Sequence, residues 1–115
     1  MGNRAVIVSS DTTKENINEK IGIYVHWYGD KKYVKQALKE AKEIGIRTVS
    51  DDPSYFWARF CQIFANIISN DGVEESGIGI DIVSHLDYTN YENGVYYIDD
   101  NFEIVKQTDG EELED

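Results

Sequence analysis

The sequence predicts an α+β domain in which two helices pack on one face of an antiparallel or mixed sheet. Five short segments are rich in β-branched residues or alternate between apolar and polar residues, which is typical of strands. Two longer segments repeat apolar residues every three or four positions, which is typical of helices. The predicted order is ββααβββ, and 115 residues are enough for one domain with a single core.

The first half of the chain is predicted to contain two strands and the clearest helix. Residues 4–9 are apolar and β-branched, as expected of a short strand. In residues 21–27 every second side chain is apolar, so Tyr24 and His26 share the opposite face of the second strand. Residues 31–44 then form an amphipathic helix whose lysines face water.

The second half is predicted to contain a central helix and three strands. Residues 55–69 are apolar on most sides, so this helix should lie at the centre of the core, and a turn follows at 70–72. Residues 77–83 alternate like a strand. Residues 94–98 and 102–105 are predicted to form a hairpin.

The domain organisation follows from where the apolar segments end. Residues 1–106 are predicted to form a single α+β domain, and residues 107–115 a flexible acidic tail. No membrane span or signal peptide is recognisable, so the expected location is the cytoplasm.

The net charge of −11 restricts the classes of partner. Residues 1–50 hold nine basic and six acidic residues, a net charge of +3, whereas residues 51–115 hold two basic and sixteen acidic residues, a net charge of −14. A sequence-independent nucleic-acid binder needs basic groups, and so does a protein that docks on anionic membranes. The sequence therefore predicts no direct binding to nucleic acid or membrane.

No catalytic or metal-binding motif stands out. The two histidines have no nucleophile at a recognisable spacing, and a single cysteine, Cys61, lies in an apolar helix where a thiol is unreactive. Glu92 and Asp99 lie seven strand residues apart, about 23 Å, too far for a hydrolase carboxylate pair. We expect no enzyme activity, no cofactor and no metal.

The first candidate surface is acidic. Carboxylates spaced along a surface can imitate phosphates and bind a basic groove on a partner protein. The candidate partner-binding residues are Asp87, Glu92, Asp99, Asp100 and Glu103. The alternative is that these charges only keep the protein in solution.

The second candidate surface is rich in tyrosine and lies on the sheet face away from the helices. Aromatic side chains beside glycines form a surface on which a planar, nucleotide-like ligand can lie. The candidate ligand-binding residues are Tyr24, His26, Asp81 and Tyr96, with Tyr97 as the alternative to Tyr96. Ordinary cross-strand tyrosine pairing would explain the same pattern.

Five segments of the chain resemble small hypothetical proteins of phages and mobile elements of Gram-positive bacteria. They are residues 1–7, 22–29, 58–63, 93–96 and 102–105, and the resemblance spans most of the chain. It implies no activity and no functional residues. It implies a context, because small acidic phage proteins often bind and inhibit host proteins, including defence systems.

These observations favour a non-enzymatic interaction protein. Its acidic, nucleic-acid-mimicking surface would bind a basic site on a bacterial protein, and the resemblance favours a phage-encoded inhibitor of a host defence protein. One alternative is a protein that binds or sequesters a small ligand on the tyrosine-rich face. Another is a phage protein that works as a homo-oligomer.

Overall fold

The computed structural model describes residues 2–68 and 77–114 and has the predicted α+β class. Two short 3-10 helices, Val83–His85 and Glu111–Leu113, were not predicted. The predicted turn at 70–72 and the predicted end of the second helix at residue 69 lie outside the described residues. The regular elements are, in order, β1 (Ala5–Ser9), β2 (Ile21–Val25), α1 (Lys31–Ile44), α2 (Pro53–Ile67), β3 (Ile78–Ile82), β4 (Val95–Ile98) and β5 (Ile104–Thr108).

The five strands form one mixed sheet in the order β3-β2-β1-β4-β5. The central strand β1 pairs antiparallel with β2 and parallel with β4, and the remaining pairs are antiparallel. Of the two predicted sheet types, the structure therefore has the mixed one. Because β1 and β4 are parallel, the residues before both strands lie at one end of the sheet and the residues after both at the other.

Both helices pack on one face of this sheet. The buried stripe of α1 and the aromatic side chains of α2 meet the inward residues of β1, β2 and β4 in the main core. Helix α2 begins after Asp52, whose side chain accepts a hydrogen bond from the Tyr55 N–H at 3.3 Å. The buried helix residues are Val34, Ala37, Leu38, Ala41, Phe56, Trp57, Phe60 and Phe64.

The opposite face of the sheet is also covered, by loops and the two 3-10 helices. A second apolar cluster lies there, made by Val6, Val8, Ile17, Val83, Val95, Tyr97 and Leu113, with Tyr24, Leu86 and Tyr88 packed at its edge. The sequence did not indicate this second cluster, because its covering residues come from segments without regular periodicity.

The acidic segment 107–115 is not a separate tail over its described residues, 107–114. Gln107 and Thr108 belong to β5 and pair with β4. Gly110 has a φ of +92°, and a Cβ there would lie 1.8 Å from the Tyr88 carbonyl oxygen. Leu113 is 1% exposed. The predicted boundary at residue 106 therefore needs correction, since one buried leucine ties this polar segment to the second core.

The last strand begins and ends later than predicted. Residues 102–105 were expected to form it, whereas β5 spans Ile104–Thr108. Phe102 has a φ of +59° and closes the turn, while the Asp99 carboxylate accepts hydrogen bonds from the N–H groups of Asn101 and Glu103. The turn is therefore longer than the apolar pattern indicates, and the strand continues through exposed polar residues.

Candidate functional site

The predicted acidic surface is divided between the two ends of the sheet. Asp87 and Glu92 lie in the loop before β4, at the end where β1 begins. Asp99, Asp100 and Glu103 follow β4, at the end where β1 finishes. The five residues therefore do not form one surface.

At the first end, one arginine pairs with both carboxylates. The Arg4 guanidinium contacts Asp87 Oδ2 at 2.9 Å through Nη1 and Glu92 Oε1 at 2.7 Å through Nε. The Arg4 backbone N–H also donates to Glu92 Oε1, and Nη2 donates to the Asn90 carbonyl. We call Arg4, Asp87, Asn90 and Glu92 the Arg4 cluster.

The loop that carries these carboxylates is shaped by a buried amide. Asn90 is 0% exposed, and its Nδ2 donates to the carbonyls of Asp87 and Gly94. Its Oδ1 accepts from the N–H groups of Glu92 and Gly94. This side chain therefore binds four backbone groups of the loop, of which the Gly94 carbonyl also accepts a hydrogen bond from the Val6 N–H.

The Arg4 cluster keeps a net charge of −1, since one guanidinium faces two carboxylates. Hydrogen bonds from Arg4 hold the pKa of Glu92 below its usual value, and the hydrogen bond to Glu92 raises the pKa of Arg4. Sequence reasoning missed Arg4 and Asn90, because 83 to 88 residues separate Arg4 from its partners and no local pattern marks the contact.

At the second end, the carboxylates are held by backbone groups. Asp100 Oδ1 accepts from the Ser50 N–H at 3.0 Å, and Asp99 caps the hairpin turn. Asp51, which sequence reasoning did not select, lies beside Ser50. Within residues 2–68 and 77–114, none of these carboxylates forms an ion pair. We call Asp51, Asp99, Asp100 and Glu103 the acidic rim.

A pocket of about 200 Å³ opens beside the acidic rim, between the end of β1 and the start of α2. Ser9 Oγ and Asp11 Oδ1 lie 2.5 Å apart at its wall, and Lys20 donates to Asp11 Oδ2 at 2.8 Å. Burial alone would raise the pKa of Asp11, but the Lys20 and Ser9 hydrogen bonds hold it below its usual value. The other lining residues are Glu19, Ile21, Val49, Ser50, Pro53 and Trp57.

The second predicted surface is partly assembled. Tyr24 Oη lies 2.7 Å from His26 Nδ1, and Tyr24 and Asp81 line a shallow cleft of about 300 Å³. Tyr96 does not belong to this site. It faces the helices, is 1% exposed, and donates its hydroxyl hydrogen to the Gly29 carbonyl at 2.7 Å. Its neighbour Tyr97 is the one that shares the face with Tyr24.

The remaining candidates for chemistry give no reactive constellation in the described chain. Burial raises the pKa of the half-buried Cys61 thiol to about 11, so the thiolate is not formed at neutral pH. His85 Nδ1 lies 3.2 Å from Asp81 Oδ1, with both side chains exposed. Among these residues no group of three His, Cys, Asp or Glu side chains could hold a metal ion, and no helix is long and apolar enough to cross a membrane.

No protein-family model, no curated protein and no solved structure matches this chain. Function is therefore inferred from the geometry of the Arg4 cluster, the acidic rim and the cleft lined by Tyr24 and Asp81.

Proposed function

We propose that this chain is a non-enzymatic interaction protein that binds a basic site on a bacterial protein through the acidic rim. One observation carries the proposal: no rim carboxylate forms an ion pair with the described residues, whereas the two of the Arg4 cluster share one guanidinium. Asp51, Asp99 and Asp100 therefore keep their negative charge for a partner, while Glu103 shares a groove with Lys35, Lys39 and Lys42 of α1.

The hydrogen bonds of the rim also orient that charge. Asp100 uses one carboxylate oxygen for the Ser50 N–H, which fixes the side chain, and its other oxygen has no hydrogen-bond partner among the described residues. The hairpin turn fixes Asp99 in the same way. A pre-oriented set of carboxylates loses little side-chain entropy on binding and attracts a lysine- or arginine-rich surface over several ångströms.

The class of partner follows from this chemistry. A groove that normally binds nucleic-acid phosphates presents the spaced basic side chains that such a rim matches. The resemblance to phage-encoded proteins favours a host protein of this kind, such as a defence factor, encountered in the cytoplasm. Inhibition would follow from occupying the groove.

The test compares charge reversal at the rim with an equal reversal elsewhere. In the rim variant Asp51→Lys/Glu103→Lys, both changed side chains are exposed and form no hydrogen bond with the described residues, so the fold should persist. The control variant Glu111→Lys/Glu114→Lys changes the net charge equally at the start and just past the end of the 3-10 helix whose Leu113 packs in the second apolar cluster.

Each variant would be used to capture proteins from a bacterial lysate, and the captured protein would then be purified and titrated. We expect the wild type and the control to retain the same basic protein, with release by high salt or by a DNA oligonucleotide. The rim variant should lose it. Equal retention by the rim variant, or retention that DNA does not reduce, would contradict the proposal.

A further inference from the structure

The cleft beside Tyr24 has a floor without side-chain atoms. In the β2–β3 pairing Tyr24 lies opposite Gly79, and a Cβ built at Gly79 would meet no atom within 4 Å. The cleft of about 300 Å³ is open above this glycine. Gly79 has an ordinary strand conformation, so the backbone does not require glycine at this position. We call this space the Tyr24 cleft.

The walls of the Tyr24 cleft combine an aromatic ring with two carboxylates. Tyr24, Ile80 and Leu86 give it apolar surface, and Asp81, His85 and Asp87 line it as well. Asp87 uses Oδ2 for Arg4, and Asp81 uses Oδ1 for the Ile82 N–H and for His85. The second oxygen of each carboxylate has no hydrogen-bond partner in the described part of the chain.

This lining matches a planar cation. A guanidinium stacks on an aromatic face and donates paired N–H groups to carboxylates, which an ammonium ion does less well. Asp87 already binds the guanidinium of Arg4 in the neighbouring cluster. Phosphates would meet two carboxylates, so the cleft disfavours the nucleotide-like ligand that the sequence suggests for this face.

We propose that the Tyr24 cleft binds a guanidinium group. Its source is either free arginine or an arginine side chain in a polypeptide. The site is separate from the acidic rim, since the two share no residue. It does not depend on the proposed function.

The test is an NMR titration with two probes, free arginine and an arginine residue blocked at both ends with acetyl and methylamide groups. Saturable shifts should appear at the amides of Tyr24, Gly79 and His85, with a dissociation constant in the millimolar range. Equal binding of both probes indicates the guanidinium alone, and tighter binding of the blocked residue indicates a polypeptide source. The matching lysine and citrulline probes should bind at least about fivefold more weakly.

Two variants locate the binding. In Gly79→Val the new side chain occupies the open space of the cleft without a clash. It should abolish the shifts without lowering the melting temperature. Asp81→Asn keeps the oxygen that caps Ile82 but removes the charge, and it should weaken binding at least about fivefold. Asp109→Asn is the matched control, because Asp109 likewise caps a backbone N–H, that of Glu111, outside the cleft.

Two results would overturn the proposal. The first is the absence of saturable shifts with either arginine probe. The second is unchanged binding by a folded Gly79→Val protein, which would place the guanidinium elsewhere. Protein capture tests only the acidic rim and the NMR titration tests only the Tyr24 cleft. Either proposal can therefore be wrong while the other holds.

Discussion

The Arg4 cluster takes its carboxylates from the loop before β4, whereas the acidic rim takes three of its four from the turn after β4 and the fourth, Asp51, from the residues before α2. In the Arg4 cluster the carboxylates meet a guanidinium, and the loop beneath them is held by the buried Asn90. In the acidic rim two carboxylates meet only backbone N–H groups. The availability of a charge is therefore decided by what the fold places opposite it, and composition alone does not reveal that.

The largest effect is expected from the amide that orders the Arg4 cluster. Asn90→Ala removes four hydrogen bonds and leaves buried backbone groups unsatisfied, so the free energy of unfolding should fall by about 3 kcal/mol. Asn101→Ala, at the exposed hairpin turn of the rim, should change it by less than about 0.5 kcal/mol. Urea unfolding measures both, and similar losses would remove the distinction between the two ends.

The next effect concerns the tyrosine whose hydroxyl reaches Gly29, which in turn contacts Asn3 beside the Arg4 cluster. Tyr96→Phe should lower the free energy of unfolding by about 1–2 kcal/mol at pH 7, because the Gly29 carbonyl loses its partner. Tyr91→Phe is the control, since Tyr91 is 90% exposed and should have no measurable effect.

The same tyrosine predicts a pH dependence. Burial raises the pKa of Tyr96 from 10.0 to about 12, so the folded chain keeps a proton that the unfolded chain releases. This contribution to stability is complete below pH 10 and is lost as the pH rises from 10 to 12. The stability difference between wild type and Tyr96→Phe should therefore shrink over this interval in urea unfolding. A constant difference would contradict the assignment.

A smaller effect is expected from the ion pairs themselves. Arg4→Met should lower the free energy of unfolding in low salt by less than Tyr96→Phe does, because Asp87 and Glu92 then repel each other but stay partly exposed to water. Added salt should reduce the loss, since it screens that repulsion. Lys14→Met, an equal charge change at an exposed site, is the control. An equal loss in both variants would show that net charge alone is responsible.

The smallest effect separates charge from hydrogen bonding at the rim. Asp100→Asn keeps an oxygen for the Ser50 N–H and should change the free energy of unfolding by less than about 0.5 kcal/mol. Asp100→Ala removes the acceptor and should cost about 1 kcal/mol. If the asparagine variant were as destabilised as the alanine variant, the charge itself would be structural and less available to a partner.

The regular elements were largely predictable because local patterns specify them. The predicted helix 31–44 coincides with α1, since its buried stripe repeats at helical spacing. The extent of β5 was not predictable, because Lys106, Gln107 and Thr108 are polar residues of an edge strand and their pairing with β4 is what makes them a strand. A single buried Leu113 likewise gives no periodic signal.

The candidate sites were predictable in residue type but not in arrangement. The five acidic candidates were chosen for their charge, and only the parallel pairing of β1 and β4 divides them between two ends. Tyr96 and Tyr97 are neighbours on a strand, so one of them had to face the helices, and the sequence pattern did not show which. Arg4 acts across 83 to 88 residues, beyond the reach of any local pattern.

The parallel pairing of β1 with β4 also has a consequence for how the chain reaches its fold. The central strand is made first, but its partner β4 begins only at Val95, so β1 has one neighbour until most of the chain is available. Closing such a long loop slows folding. During synthesis, one edge of β1 stays unpaired and can pair with other chains, which favours aggregation. Pairing with β4 closes that edge.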